Sequence, residues 1–411
     1  MKRISVLACV LGVFFVATAW AEQPSVAVSR SFNAPAKADH AKAWELGTYP
    51  GGTWFATWHI NDLGVVVGRG DVPPVGADGV GDTHTLAVPL FGERAGEWID
   101  LGTLGGEEPR GWEEPFADIS NTGLVVSHST APDGWAHGVA WTKETGMVDL
   151  GTLADTGDPR YASYSSSYAM ATNKLGTLIV GMSGVDGRPD LAPVVWTPST
   201  VRMNGKFVTK WRIRKLDVAG FPDLTGWDIW GVNDFGQILG TAFNDDFTTV
   251  VGVLWNLSPG GRGWGRPMSL PPLPSYPLTN AYGINDKGDI VGAAISPDTG
   301  IWLSVLWQPL DIKRTTYSPA IELPLPAGFT GCDCVGLNEL GDLVGDCWND
   351  AEDRPTRWTT KDLTFTEIVG FPGTWGFSWG VNNHRIAAVT YAGGESCPDT
   401  YGSCGGAVRL P

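Results

Sequence analysis

The stretch Ile60-Asn61-Asp62-Leu63-Gly64-Val65-Val66-Val67-Gly68 decides the fold, because the chain repeats it. Close copies stand at residues 232–240, 284–292 and 337–345. Looser ones stand at 119–123, at 172–176 with one extra residue after the glycine, and at 381–385, where Arg385 replaces glycine. The seven turn positions lie roughly 45 to 60 residues apart, the spacing of propeller blades or other stacked units. An Asn opening a tight turn accepts a local backbone hydrogen bond, and a glycine a few residues later takes positive φ at low cost. Such turns sit on separate units, so the sequence reading expects them to point away from a common centre and predicts no metal site there.

Working outward from the turn, each repeat divides into four short strands. Strand a ends in the Ile-Asn copy and strand b is the apolar run after the glycine. Strand c closes on an aromatic cluster such as Pro193-Val194-Val195-Trp196 or Ser304-Val305-Leu306-Trp307, and strand d carries Asp100-Leu101-Gly102-Thr103-Leu104 or Asp149-Leu150-Gly151-Thr152-Leu153. Four antiparallel strands per unit make a blade. The predicted fold is all-β: a seven-bladed β-propeller of four-stranded antiparallel blades in one domain, residues 44–411. The last unit stops after strand c, while Trp44-Glu45-Leu46-Gly47-Thr48 is a strand d with nothing before it. That N-terminal strand is therefore expected to complete the last blade against Ala407-Val408-Arg409 and leave no open edge.

Ahead of the repeats, Lys2 and Arg3 precede an apolar run, and Ala19-Trp20-Ala21 supplies the small residues of a cleavage site. Residues 1–21 read as a secretory signal and not a membrane span, and 22–43 as a flexible leader. The expected location is secreted, extracellular or periplasmic, with no membrane insertion after signal cleavage. Losing Lys2 and Arg3 takes the net charge from −16 to −18, a balance that repels nucleic acid and anionic lipid. Five cysteines follow the signal. Cys332 and Cys347 fall opposite each other across a hairpin, with Cys334 either the odd residue or the true partner of Cys347, and Cys397 and Cys404 flank a short loop. No Cys-x-x-Cys pair, His-Glu-x-x-His, phosphate loop or dinucleotide fingerprint is present, so neither a metal nor a cofactor is expected. Gly376-Phe377-Ser378-Trp379-Gly380 matches a hydrolase elbow, but it lies within a strand a where no sharp strand-to-helix turn can expose the serine.

Two positions before the repeat Asn, four blades carry Gly231, Gly283, Gly336 and Gly380, which would let neighbouring sheets approach closely. The first two blades carry His59 and Asp118 instead, which are either polar residues at a roomier blade contact or part of a site near the axis. Further ligand-binding candidates lie on the longest d-to-a loops: Arg110, Trp112 and Glu113 on one, Arg160 and Tyr161 on the next. Aromatic platforms with carboxylates and arginines suit a polar ligand such as a sugar, and paired acids could do acid/base work, although the solvated loops of an acidic protein look the same. Each b-to-c connection holds an aspartate, from Asp71 to Asp399, in ordinary turn sequences. Residues 198–216 read as an insertion between strands c and d of the third blade, a hairpin turning at Asn204-Gly205, with Arg202, Lys206, Lys210, Arg212, Arg214 and Lys215 concentrating positive charge either to dock an acidic partner or polysaccharide or simply to keep an extended ribbon soluble.

The d-strand Asp100 to Gly106, the turn Ile60 to Gly68 and His137-Gly138-Val139-Ala140-Trp141 together resemble the HAF family of extracellular repeats. The resemblance covers almost the whole chain after the signal and implies secretion and a propeller-like scaffold; it supplies no catalytic residue, and no copy spells His-Ala-Phe. The expected function is a secreted binding or interaction scaffold for a polysaccharide or protein ligand. The alternative is a carbohydrate-active enzyme, a lyase or hydrolase, working on the loop-rich face.

Overall fold

The computed structural model describes residues 43–74, 76, 81–109, 116–185, 191–203, 206–258, 261, 263–368, 375–392 and 403–410. They form seven four-stranded antiparallel sheets. The inner strands a are Phe55–Ile60, Asp118–Ile119, Ser166–Thr172, Gly226–Val232, Leu278–Ile284, Gly331–Leu337 and Trp375–Val381, in blades 1 to 7. The last sheet runs Ala43–Gly47, Cys404–Arg409, Ile386–Ala392, Trp375–Val381, so the first strand of the chain is the outer strand of blade 7. Trp44 pairs with Ala407 and Glu45 with Gly406, which is the closure expected from the sequence.

Each strand b leaves its turn as expected. Gly64, Gly123, Gly176, Gly236, Gly288 and Gly341 all take positive φ, and Arg385 in the seventh turn does so at φ 59. The repeat Asn side chain caps its own turn: Asn61 Oδ1 accepts from Leu63 N at 3.1 Å and Val65 N at 2.9 Å. In the third blade Asn173 Oδ1 accepts from Thr177 N and Leu178 N, both at 2.8 Å, so the extra residue is absorbed within the turn.

Blades are joined by a second repeated device. Trp196, Trp255, Trp307 and Trp358, at corresponding positions of their strands c, are fully buried. Each indole N–H donates to a carbonyl just past strand d of the preceding blade, namely those of Leu150, Asp217, Pro271 and Pro324, at 2.7–3.0 Å. One residue thus fills the gap between sheets and satisfies its buried donor. The glycines at inner blade contacts act as expected at three positions: a Cβ would meet Val335 O at 2.6 Å from Gly283, Trp379 O at 2.4 Å from Gly336, and His59 Cα at 2.9 Å from Gly380. Gly231 has more room, with 3.4 Å to the nearest atom.

In the third blade the extra residues expected at 198–216 lengthen strands c and d themselves as a ribbon: Ala192–Met203 and Lys206–Lys215 pair in unbroken register from Val194–Lys215 to Met203–Lys206. The basic residues are the outer part of one long hairpin. Asn204 and Gly205 lie outside the described residues.

Cys332 and Cys347 form a disulfide between directly paired residues of strands a and b in blade 6. Cys334 is free and buried, which decides between the two readings of that cysteine. Cys404 is disulfide-bonded; Cys397 lies outside the described residues. Among the described residues no helix is long and apolar enough to cross a membrane.

Candidate functional site

The a–b turns and c–d connections occupy one face of a propeller, here called lower, and the d–a and b–c connections the other, upper. Every described inner strand except the short one of blade 2 has a register shift just before the repeat Asn, as between Thr57 and His59, Ile229 and Gly231, or Ala281 and Gly283. A bulge turns its extra residue out of the ladder. The residues turned out are Trp58, Met170, Trp230, Tyr282, Val335 and Trp379, and they line a cavity on the axis. Phe116 stands 4.7 Å from Trp58 of blade 1 and 5.8 Å from Trp230 of blade 4, measured between ring centroids. These blades are not neighbours, so the rings meet across the axis. Trp58–Trp379 at 3.9 Å and Trp230–Tyr282 at 5.5 Å extend the layer.

Below that layer the seven turns close a ring, and here the sequence expectation of turns pointing apart is overturned. Asn233 Nδ2 donates to Asn285 O at 3.0 Å, Asn285 to Asn338 O at 3.1 Å, Asn338 to Asn382 O at 2.9 Å, Asn382 to Asn61 O at 2.9 Å and Asn61 to Ser120 O at 2.9 Å. The next residue adds a second bond in the same direction, this time to a side chain of the receiving turn: Asp286 accepts from Asp234 N, Glu339 from Asp286 N and Asp62 from Asn383 N at 2.8–2.9 Å. Stacked blades bring corresponding turns side by side, and the repeat pair Asn-Asp supplies one donor and one acceptor per joint. Lys174 crosses the mouth from blade 3 to pair with Glu339 of blade 6 and, at 3.7 Å, with Asp286 of blade 5.

His59 and Asp118 meet in this chamber, Nδ1 to Oδ1, at 2.6 Å. Asp118 also accepts from Thr172 N at 2.8 Å and Ile119 N at 2.7 Å, linking three blades. Burial opposes a charge on His59, but Asp118 outweighs it and holds the imidazole above its usual pKa. Burial likewise opposes ionisation of Asp118, while His59 and the two backbone N–H groups bring that carboxyl below the usual range. The chamber has about 110 Å³, room for a small cluster of waters among its polar groups.

Arg160 and Tyr161 lie apart from this pair, on the upper face. Arg160 is bound to Asp158 at 2.5 Å, which holds the Asp158 pKa down at about 2. The Tyr161 ring carries Arg160 at 5.4 Å and Lys215 at 5.6 Å and abuts Tyr164 at 5.3 Å. Arg110, Trp112 and Glu113 lie outside the described residues. Glu108 belongs to a cluster the sequence reading missed: Arg69, buried, contacts His128 and stands 3.9 Å from Glu108, whose Oε1 accepts from Thr130 N at 2.9 Å. Burial and the adjacent Arg69 push the His128 pKa well down. Arg69 and His128 come from strands b of neighbouring blades and Glu108 from the connection between them, with no motif linking the three.

Other expected features are structural in character. Asp71 accepts from Thr53 N, Trp54 N and Gly81 N and ties two upper loops together. His137 pairs with Asp149 at 2.8 Å across strands c and d, and His84 with Asp100 in the same way in blade 1. Among the described residues no group of three His, Cys, Asp or Glu could hold a metal.

The fold and its plugged axis define a seven-bladed β-propeller. No family model and no curated protein matches the chain. Solved structures that match do so in fold: oligogalacturonate lyase in complex with manganese (10% identity, TM-score 0.50, covering 90% of each chain), an acylaminoacyl peptidase from Pyrococcus horikoshii (9%, 0.47, 85% of this chain and 51% of that one) and TolB from Acinetobacter baumannii (8%, 0.42, 74% and 63%). The chain thus spans less than two thirds of the length of the last two.

Proposed function

We propose that the chain is a secreted binding scaffold of the HAF-repeat type, holding a polysaccharide or protein ligand on its outer surfaces. The observation that carries this reading is the filled axis: aromatic rings meet across it and a closed ring of turns lies below. Ligands of propellers enter by an axial funnel or lie on a face, and this axis leaves a chamber of water size. The described upper loops offer the Tyr161–Tyr164 platform with Arg160 and Lys215 beside it, a surface suited to stacking a sugar ring or an aromatic side chain. Among the described residues no Ser, Cys or Thr side chain is bonded to the His59–Asp118 pair in the chamber, and its carboxylate is already committed to the backbone N–H groups of Thr172 and Ile119. That arrangement orders three blades.

The test is a glycan-array screen of the processed protein, followed by reducing-end and unsaturated-uronate assays on any glycan bound. Binding without turnover supports the scaffold. Turnover would overturn it in favour of the carbohydrate-active enzyme and send mutagenesis to Glu113, Arg160 and Tyr161.

A further inference from the structure

The outer strands of blades 3 and 4 carry a charge opposite to that of the whole chain. Residues 191–216 and 247–285, which include strands c and d of both blades, hold eight lysines and arginines and no aspartate or glutamate, in a chain of 44 acids and 28 bases. The described acids of blade 4 stand elsewhere: Asp223, Asp245 and Asp246 on upper connections, Asp228 on the inner strand and Asp234 in the ring of turns. Strand d of blade 3 is also the long one, ten residues against two to five in the other six blades. It ends its sheet, so one whole edge is open. Along it Lys210, Arg212 and Arg214 are exposed at alternate positions, which places them on one face about 7 Å apart. Among the described residues none of these three is paired with an acid. Their face is turned towards blade 4, because Arg214 pairs with Val195, and Val195 shares an apolar cluster with Trp227, Val253 and Trp255 of that blade. Arg266 comes from blade 4, exposed and 4.0 Å from Asp217 just past the end of the strand.

We infer that this flank binds an acidic polysaccharide, a chain bearing carboxylate or sulfate groups; the inference rests on the scaffold reading above, whose ligand class it names. An open edge strand needs charge to stay unpaired, but solubility does not choose a sign, and a chain richer in acids would supply glutamate as readily as lysine. Arginine forks take the oxygens of an anionic group in pairs, and cations repeated along a strand suit a ligand whose charge is repeated along a chain. Hydroxyls lie between them: Thr197 pairs with Arg212 and Ser199 with Lys210, on the same face, where they can meet sugar hydroxyls. Trp196 and Trp211 of the hairpin are on the opposite face, paired with Ile213 and Pro198. The ladder therefore lacks the aromatic anchors in which protein partners concentrate affinity and the stacking platforms that hold single-stranded nucleic acid. At its upper end Lys215 lies 5.6 Å over the Tyr161 ring, so a chain passing that residue reaches the aromatic platform. Charges act over about 8 Å at physiological salt, so contact is governed by this flank and not by the whole-chain charge of −16.

The test is equilibrium binding of the processed chain to two matched pairs of polymers: polygalacturonate against its full methyl ester, and dextran sulfate against dextran. In at least one pair the charged member is expected to bind at least about tenfold more tightly, through several exposed contacts that are each weak. It should be released at about 1 M salt, where the Debye length is about 3 Å. Which pair responds tells carboxylate from sulfate. Lys210→Gln with Arg212→Gln and Arg214→Gln should remove the preference, whereas Lys313→Gln with Lys361→Gln, equally exposed on other blades, should keep it. An unchanged melting temperature confirms that the triple variant is folded. No preference in either pair, or a preference that survives the triple variant, would overturn the inference. So would polyglutamate binding as tightly as the polysaccharide and lost in the same variant, which would assign the flank to an acidic protein. Neutral glycans bound without any charge preference, and lost in Tyr161→Ser, would also overturn it while leaving the scaffold reading in place.

Discussion

Arg385 occupies a left-handed backbone position that six other turns fill with glycine. Its guanidinium reaches Asp342 Oδ2 of the neighbouring blade at 3.3 Å, and Asp342 also binds Arg357. Replacing Arg385 by Gly relieves roughly 1 kcal/mol of backbone strain and removes a half-exposed ion pair worth at most about that much. The expected change in urea midpoint is therefore near zero, in contrast to a loss for Arg385→Val, whose β-branch cannot take this φ. Asp228 on the inner strand of blade 4 has a buried Oδ2 without a partner, and burial pushes its pKa to about 8. A carboxyl raised in the folded state binds a proton there that the unfolded chain gives up, so stability falls as pH rises from about 4 to about 8. Asp228→Asn should gain on the order of 2–4 kcal/mol at pH 7 and nothing below pH 4, read from denaturant midpoints at the two pH values. His59 has the opposite linkage: raised by Asp118, it contributes fully below pH about 6.5 and loses that contribution as pH climbs through its folded pKa. Thermal melts of His59→Gly should show a loss of about 1–3 kcal/mol at pH 6 that shrinks by pH 8.

Among elements, the a–b hairpin explains what the sequence could and could not reveal. Turn, glycine and strand b are local, so Asn61 to Gly68 displays them outright, and the facing of Cys332 and Cys347 follows from counting along paired strands. The bulge is different. Trp58, Trp230 and Trp379 look like ordinary core aromatics, and only the one-residue shift against strand b sends them to the axis. Nor does one copy of Asn-Asp disclose that its donor is spent on the next copy, because that joint exists only after the blades stack. Asn338→Ala removes a cap and a blade-to-blade bond together, both buried, and should cost about 2–4 kcal/mol; Asn338→Asp, which keeps the cap acceptor but loses the donor, should fall between. Gly336→Ala drives a Cβ to 2.4 Å from the Trp379 carbonyl and should lower the melting temperature by several degrees at least, for an expected loss of about 1–3 kcal/mol.

For the molecule as a whole, closure was legible because the repeat is incomplete at both ends in complementary ways, Trp44-Glu45-Leu46 lacking partners that Ala407-Val408 lack in turn. The chamber on the axis was not. It emerges only when inner strands distant in sequence are gathered around one axis. Deleting residues 43–47 exposes strand Cys404–Arg409 and uncovers the packing of Trp44 and Leu46; size-exclusion chromatography should then show association between molecules through that edge. The ring of turns has a further consequence, for order of assembly. Joints between neighbouring blades such as Asn285–Asn338 span 44 to 61 residues, whereas Asn382 to Asn61 spans 321. The short ones can form as successive blades arrive; the long one waits for the last. A chain emerging from its N-terminus therefore carries a growing crescent whose last joint, from Asn382 and Asn383 to Asn61 and Asp62, waits for blade 7, as does the pairing of Ala43–Gly47 with Cys404–Arg409.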